Sequence, residues 1–128
     1  MGLTTIKIEI GNPAKLKAKV VVEFLVDSGA LYSVVPAKTL KQLGIKPLTK
    51  ETYSMVDGTH LTRKKGLAIF RYGNRIGGAD VIFGEAGDSI LLGVTALESM
   101  GLLLDPLRRE LRPLPILLAT KLQQLEPV

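Results

Sequence analysis

A strongly apolar stretch of the chain runs straight into an acid. Phe24-Leu25-Val26 is followed at once by Asp27-Ser28-Gly29-Ala30. A carboxylate beside such neighbours is costly to bury unless it is hydrogen-bonded or protonated. A carboxyl group held in that way is suited to general acid–base work on a water or a carbonyl. Ser28 adds a short hydroxyl that can lock a loop, and Gly29 permits close backbone approach or positive φ. Taken alone, Asp-Ser-Gly is also an ordinary turn at the end of a strand.

The remaining residue types narrow the chemistry. The chain has no cysteine, which excludes disulfides, thiolate metal sites and a cysteine nucleophile. A single histidine, His60, excludes a zinc site built on several imidazoles from one chain and weakens any Ser-His-Asp arrangement. His60 reads as a solvent-exposed hairpin residue, and Glu23 as an outward-facing strand position. Asp80 and the Glu85–Asp88 segment lack the spacing of a metal-binding loop, so no metal and no cofactor are expected. Tyr53 and Met55 fit either a substrate cleft or simple hairpin packing.

Strands must carry these groups. Thr4 to Ile10 alternates apolar and polar residues and ends at the turn cluster Gly11-Asn12-Pro13. A second strand, from about Leu16 to Val26, ends at Asp27. After the short apolar piece Val34-Val35, Pro36 suits the first turn of a helix that presents Leu40 and Leu43 and stops at Gly44. Thr49 to Phe70 reads as a hairpin turning at Asp57-Gly58, where Gly supplies positive φ. Gly73-Asn74 and Gly77-Gly78 read as turns or bulges, and Ala79 to Phe83 as a strand. Ser89 to Leu92 is a short apolar strand ending in Gly93. Thr95 is a candidate cap for a helix over Ala96 to Met100, closed by Gly101. Leu102-Leu103-Leu104 then turns at Asp105-Pro106 and pairs with Glu110 to Arg112. The expected fold is mostly β, a barrel or sandwich with one or two short helices.

The chain's 128 residues suit one domain. Residues 1–112 are expected to form it. Residues 113–128 form an apolar tail, with Leu114, Ile116, Leu117, Leu118, Leu122 and Leu125, expected to pack on the domain or on a partner subunit. A hydrophobic fraction of 46% and a charged fraction of 23% are those of a folded globular protein. The formal charge is +5, but the basic residues are dispersed except at Arg63-Lys64-Lys65 and Arg108-Arg109. With no Trp, three Tyr and three Phe, a stacking platform is not expected, and neither is nucleic-acid binding. The opening residues lack the apolar core of a signal peptide, and no apolar run approaches the roughly 18 residues of a membrane span. A cytoplasmic location without membrane contact is the expectation.

The second element that matters is Ile90-Leu91-Leu92-Gly93, placed after the Asp57-Gly58 hairpin and before a short helix. An apolar strand delivering Asp-Ser-Gly-Ala, then a hairpin, then an apolar-apolar-Gly strand leading into a helix resembles the retropepsin-like aspartic proteases. Phe24-Leu25-Val26-Asp27-Ser28-Gly29-Ala30, Ser33-Val34-Val35-Pro36 and Ile90-Leu91-Leu92-Gly93-Val94-Thr95-Ala96-Leu97 are similar to the small bacterial and archaeal members. The resemblance spans roughly residues 4–112.

This resemblance implies an acid-protease half-barrel with a flap hairpin. Asp27 matches the catalytic aspartate. Ser28 matches the hydroxyl residue that reaches the partner's loop, and Gly29 the glycine that lets substrate backbone approach. Ala30 completes the loop, and Leu92 and Gly93 lie against it in support. Tyr53, Met55, Asp57 and Gly58 fall in the flap, beside the substrate cleft.

Aspartic proteolysis needs two carboxylates sharing a proton, one as base toward water and one as acid toward the carbonyl. The chain has no second Asp-Ser/Thr-Gly: Asp88-Ser89-Ile90 lacks the glycine and Asp57-Gly58-Thr59 has another order. The resemblance therefore implies a homodimer that brings two copies of Asp27 together and hydrolyses peptides or proteins. The other readings are a dimeric binding or assembly module that keeps the fold without proteolysis, and a carboxylate-pair glycosidase, for which no second acid can be named.

Overall fold

A computed structural model describes residues 4–115. Among them the order is β1 (Thr5–Asn12), β2 (Lys15–Val26), β3 (Ser33–Pro36), α1 (Ala37–Gln42), β4 (Thr49–Ser54), β5 (His60–Tyr72), β6 (Arg75–Gly84), β7 (Leu91–Leu92), α2 (Val94–Ser99), β8 (Leu102–Asp105) and β9 (Glu110–Pro113). The fold is mostly β with two short helices, as expected. No helix among the described residues is long and apolar enough to cross a membrane.

The large sheet runs β1-β2-β7-β3-β6-β5-β4, and a further pairing of β1 with β5 curls it into a barrel. That closure is short, joining Glu9, Ile10 and Gly11 to Arg71, Phe70 and Ile69. Alternation along the strands fills the interior: Ile8 and Ile10 from β1, Phe24 from β2, Val35 from β3, Phe70 from β5 and Val81 from β6 are fully buried. Leu40 of α1 and Ala96 of α2 plug it from outside the sheet. Glu23 faces outward opposite Lys7, as its place in the alternation requires.

Three local expectations are corrected. Gly77 and Gly78 lie inside β6, paired with Phe70 and Ile69, and make no turn. A Cβ at Gly77 would stand 2.3 Å from the Ser99 carbonyl oxygen, so this glycine lets α2 press onto the sheet. The second helix begins at Val94, with Gly93 in the capping position, and Thr95 does not cap it. The strand expected over Ser89–Leu92 is ladder-paired only at Leu91 and Leu92, and Asp88 just before it is bonded to Arg63.

β9 extends to Pro113, one residue past the expected domain end, and the Leu114 amide donates to the Gly101 carbonyl at 2.8 Å. The tail expectation for 116–128 lies outside the described residues.

Candidate active site

The site is set by one crossing of the chain. β7 lies between β2 and β3, parallel to the first through Leu25–Leu91 and Val26–Leu92, and antiparallel to the second through Val34–Leu91. The segment that leaves β2 at Asp27 must therefore pass over the end of β7 to enter β3 at Ser33.

Backbone bonds fasten that crossing at each step. The Leu25 amide donates to Ile90 O at 2.9 Å, and the Asp27 amide to Leu92 O at 3.1 Å. The Ala30 amide turns back to Asp27 O at 3.1 Å. On the far side, Val94 N–H donates to Ala30 O at 2.8 Å and Thr95 N–H to Leu31 O at 3.0 Å. The Thr95 hydroxyl, free from capping, donates to the same Leu31 oxygen at 2.9 Å.

Gly93 lies beneath the crossing. A Cβ there would stand 2.5 Å from the Tyr32 carbonyl carbon, 2.6 Å from its oxygen and 2.9 Å from Leu31 O. Only glycine lets the two backbones meet so closely. Leu92 is fully buried beside it. Both residues lie against the loop.

Asp27 is half-buried at the apex, while Ser28 and Gly29 are exposed. Its Oδ1 accepts the Gly29 amide at 2.9 Å. Among the described residues its Oδ2 has no hydrogen-bond partner, so one oxygen is oriented and the other is open to an incoming group. A Cβ on Gly29 would lie 3.2 Å from Oδ1, so the glycine keeps this contact unstrained.

The β4–β5 hairpin has its tip at residues 55–59, wider than a two-residue turn. Gly58, at φ 89°, donates its amide to Met55 O at 3.0 Å, and Met55 N–H donates to Thr59 O at 2.7 Å. Asp57 turns into the tip, accepting from the Thr59 amide at 2.9 Å and from its hydroxyl at 2.6 Å. Those bonds hold its carboxyl below the usual range, the hydroxyl bond most. Met55 and Val56 are exposed, and so is His60, whose Nδ1 lies 3.3 Å from Ser54 Oγ. Among the described residues no hydrogen bond joins Met55, Asp57 or Gly58 to the Asp27 loop.

Tyr53 does reach the loop. Its ring meets that of Tyr32 edge-on, with centroids 6.1 Å apart and an interplanar angle of 72°. Burial, helped by the nearby Glu51 carboxylate, pushes the Tyr53 phenol pKa up.

Four further residues, Ser33, Tyr32, Lys65 and Arg63, have no role legible in the sequence. Fully buried Ser33 accepts the Gly93 amide on its Oγ at 2.9 Å and so locks β3 to the support strand. A serine opening a valine strand was the available signal. Tyr32 and Lys65 meet across the fold, the Lys65 ammonium 4.8 Å from the Tyr32 ring centroid. Arg63 grips Asp88 with two nitrogens, at 2.8 and 3.0 Å, and lies 3.5 Å from Glu85. Asp80 pairs with Lys65 at 3.5 Å. These acids thus serve structural ion pairs.

A family model described as aspartyl protease matches residues 7–96, a span that includes the whole crossing. The chain belongs to the retropepsin-like aspartyl protease family. None of the curated proteins compared with it matches. Within this family the chain is a protease-like domain, and the matched span holds the Asp27 loop, the hairpin and Leu91-Leu92-Gly93 together.

Proposed function

We propose that the protein is an aspartic endopeptidase that works as a homodimer, with Asp27 of each copy forming the catalytic pair. The observation that carries this reading is Asp27 itself, fixed through Oδ1 by the Gly29 amide with Oδ2 left open at a surface loop. One carboxylate of the pair takes a proton from water as the water attacks the scissile carbonyl. The other, protonated, donates to the carbonyl oxygen.

A single chain supplies one such carboxylate. Exposed Ser28 and Leu31, which is 58% exposed, flank it on a surface that a second copy would cover. The exposed hairpin tip, Met55 to Thr59, would form the cover over bound peptide, with Tyr53 at its root.

The test is Asp27→Asn, assayed with fluorescently labelled casein and by sedimentation. The expected outcome is a folded dimer with casein cleavage reduced by at least about a thousandfold, the scale on which loss of a catalytic acid–base group acts. Wild-type specific activity should lean toward acid pH and rise with protein concentration through the dimerisation range. A cleavage rate unchanged in the variant would sink the mechanism, and full activity from a demonstrated monomer would sink the dimer.

A further inference from the structure

We propose that Lys65, Tyr32 and Tyr53 form a clasp that sets the position of the hairpin relative to the Asp27 loop, with Lys65 and Tyr53 as positioning residues for the proteolysis proposed above. The need for a clasp follows from the sheet. β6 pairs with β5 only from Lys65 onward, and residues 60–64 pair with β4 alone. The hairpin therefore projects past the end of its neighbour, and side chains must decide where it stands.

Lys65 sits at the branch point, its side chain only 17% exposed. Its ammonium is 3.0 Å from Glu51 Oε2 of β4 and 3.5 Å from Asp80 Oδ2 of β6. The same ammonium lies over the ring of Tyr32, a cation–π placement. Tyr53, from β4, closes the group by its edge contact with Tyr32, and its hydroxyl reaches toward Glu51 Oε1 at 3.5 Å. One cation thus gathers β4, β5, β6 and the exit of the catalytic loop. The Tyr32 end cannot drift, because its main chain presses on Gly93. Hairpin position and loop position are therefore linked through one small cluster.

The experiment compares Lys65→Met, which keeps the stem and removes the charge, with Lys65→Arg, which restores a cation, and with Tyr53→Ala. Two readouts are taken on the full chain: steady-state cleavage of labelled casein, and amide hydrogen exchange. Lys65→Met and Tyr53→Ala are each expected to raise exchange about tenfold at residues 53–55, with residues 28–32, which the main chain anchors, and amides of the Phe24 and Phe70 core unchanged. In cleavage, KM is expected to rise about tenfold with kcat changed less than threefold, and Lys65→Arg to recover most of both effects. Unchanged exchange at 53–55 in both variants, with an active wild type, would overturn the clasp and leave the proteolytic reading standing. The rise at 53–55 with an inactive wild type would keep the clasp and overturn the proteolytic reading.

Discussion

Replacing Gly93 by alanine tests the crossing that builds the site. The new methyl carbon would stand 2.5, 2.6 and 2.9 Å from three backbone atoms of Tyr32 and Leu31. All three belong to main chain, so no side-chain rotation can relieve the overlap. The loop must rise by about half an ångström or more, against the bonds from Val94 N–H to Ala30 O and from Thr95 N–H and Oγ1–H to Leu31 O. Overpacking of this kind costs about 1–3 kcal/mol, and weakening two backbone hydrogen bonds adds about 1 kcal/mol each. The sum, about 3–5 kcal/mol, is a large share of the ~5–15 kcal/mol that holds a domain folded. Gly78→Ala is the control: it is exposed in β6, and its nearest contact would be Ala68 O at 4.0 Å. That change should be neutral or stabilise by up to about 1 kcal/mol, as alanine does over glycine in a strand. Urea unfolding at one fixed protein concentration measures both, with loss of casein cleavage expected in Gly93→Ala alone. A Gly93→Ala protein within about 1 kcal/mol of wild type would refute the reasoning, because an overlap with three backbone atoms cannot cost so little.

Two other changes probe the same frame. Ser33→Ala removes the acceptor of the Gly93 amide and leaves a buried N–H without a partner, so it should lower the urea-derived stability by about 1–3 kcal/mol; a loss under about 0.5 kcal/mol would contradict that role. Arg63 holds the Asp88 pKa below the ordinary carboxylate value, chiefly by hydrogen bonding, so this contribution is complete above the unfolded value of about 3.9 and is lost as pH falls through the lowered folded value. Stability measured from pH 7 down to about 2.5 should therefore fall less steeply below about pH 4 in Arg63→Gln than in wild type, and parallel curves would refute the pairing.

Much of this was legible because strands alternate and turns need particular residues. The apolar run into Asp27, the Asp57-Gly58 turn and the apolar pair before Gly93 each carry a local signature, and all three stand where the sequence puts them. The failures are places where a distant segment decides. Gly77 carries the composition of a turn, yet its glycine is needed because α2 packs there. Thr95 carries the composition of a cap, but Leu31 O, brought over it by the crossing, takes the hydroxyl. Tyr32 and Tyr53 meet from segments 21 residues apart, and no local pattern pairs them. No local pattern names Lys65, because its two carboxylates and its aromatic ring come from three other segments.

The two halves of the site are held by different forces, and this bears on how it would work. The Asp27 loop is fixed almost wholly by main chain: hydrogen bonds from the Leu25 and Asp27 amides to Ile90 O and Leu92 O and from the Val94 and Thr95 amides to Ala30 O and Leu31 O, a glycine beneath it and one buried serine hydroxyl. Such a frame has little freedom without local unfolding, which suits the proposed dyad, whose two carboxylates would meet at a fixed distance. The hairpin stands on side-chain contacts instead, with Tyr53 and Lys65 on Tyr32 and Arg63 on Asp88. Partly exposed ion pairs and one aromatic contact are weak individually and can be broken and remade without disturbing the barrel. The proposed cover, which would open for an extended peptide and close over it, needs that kind of attachment. The division between a backbone-locked acid and a side-chain-held cover follows from the strand order, in which β7 lies beneath the loop and nothing in the sheet flanks residues 60–64 except β4.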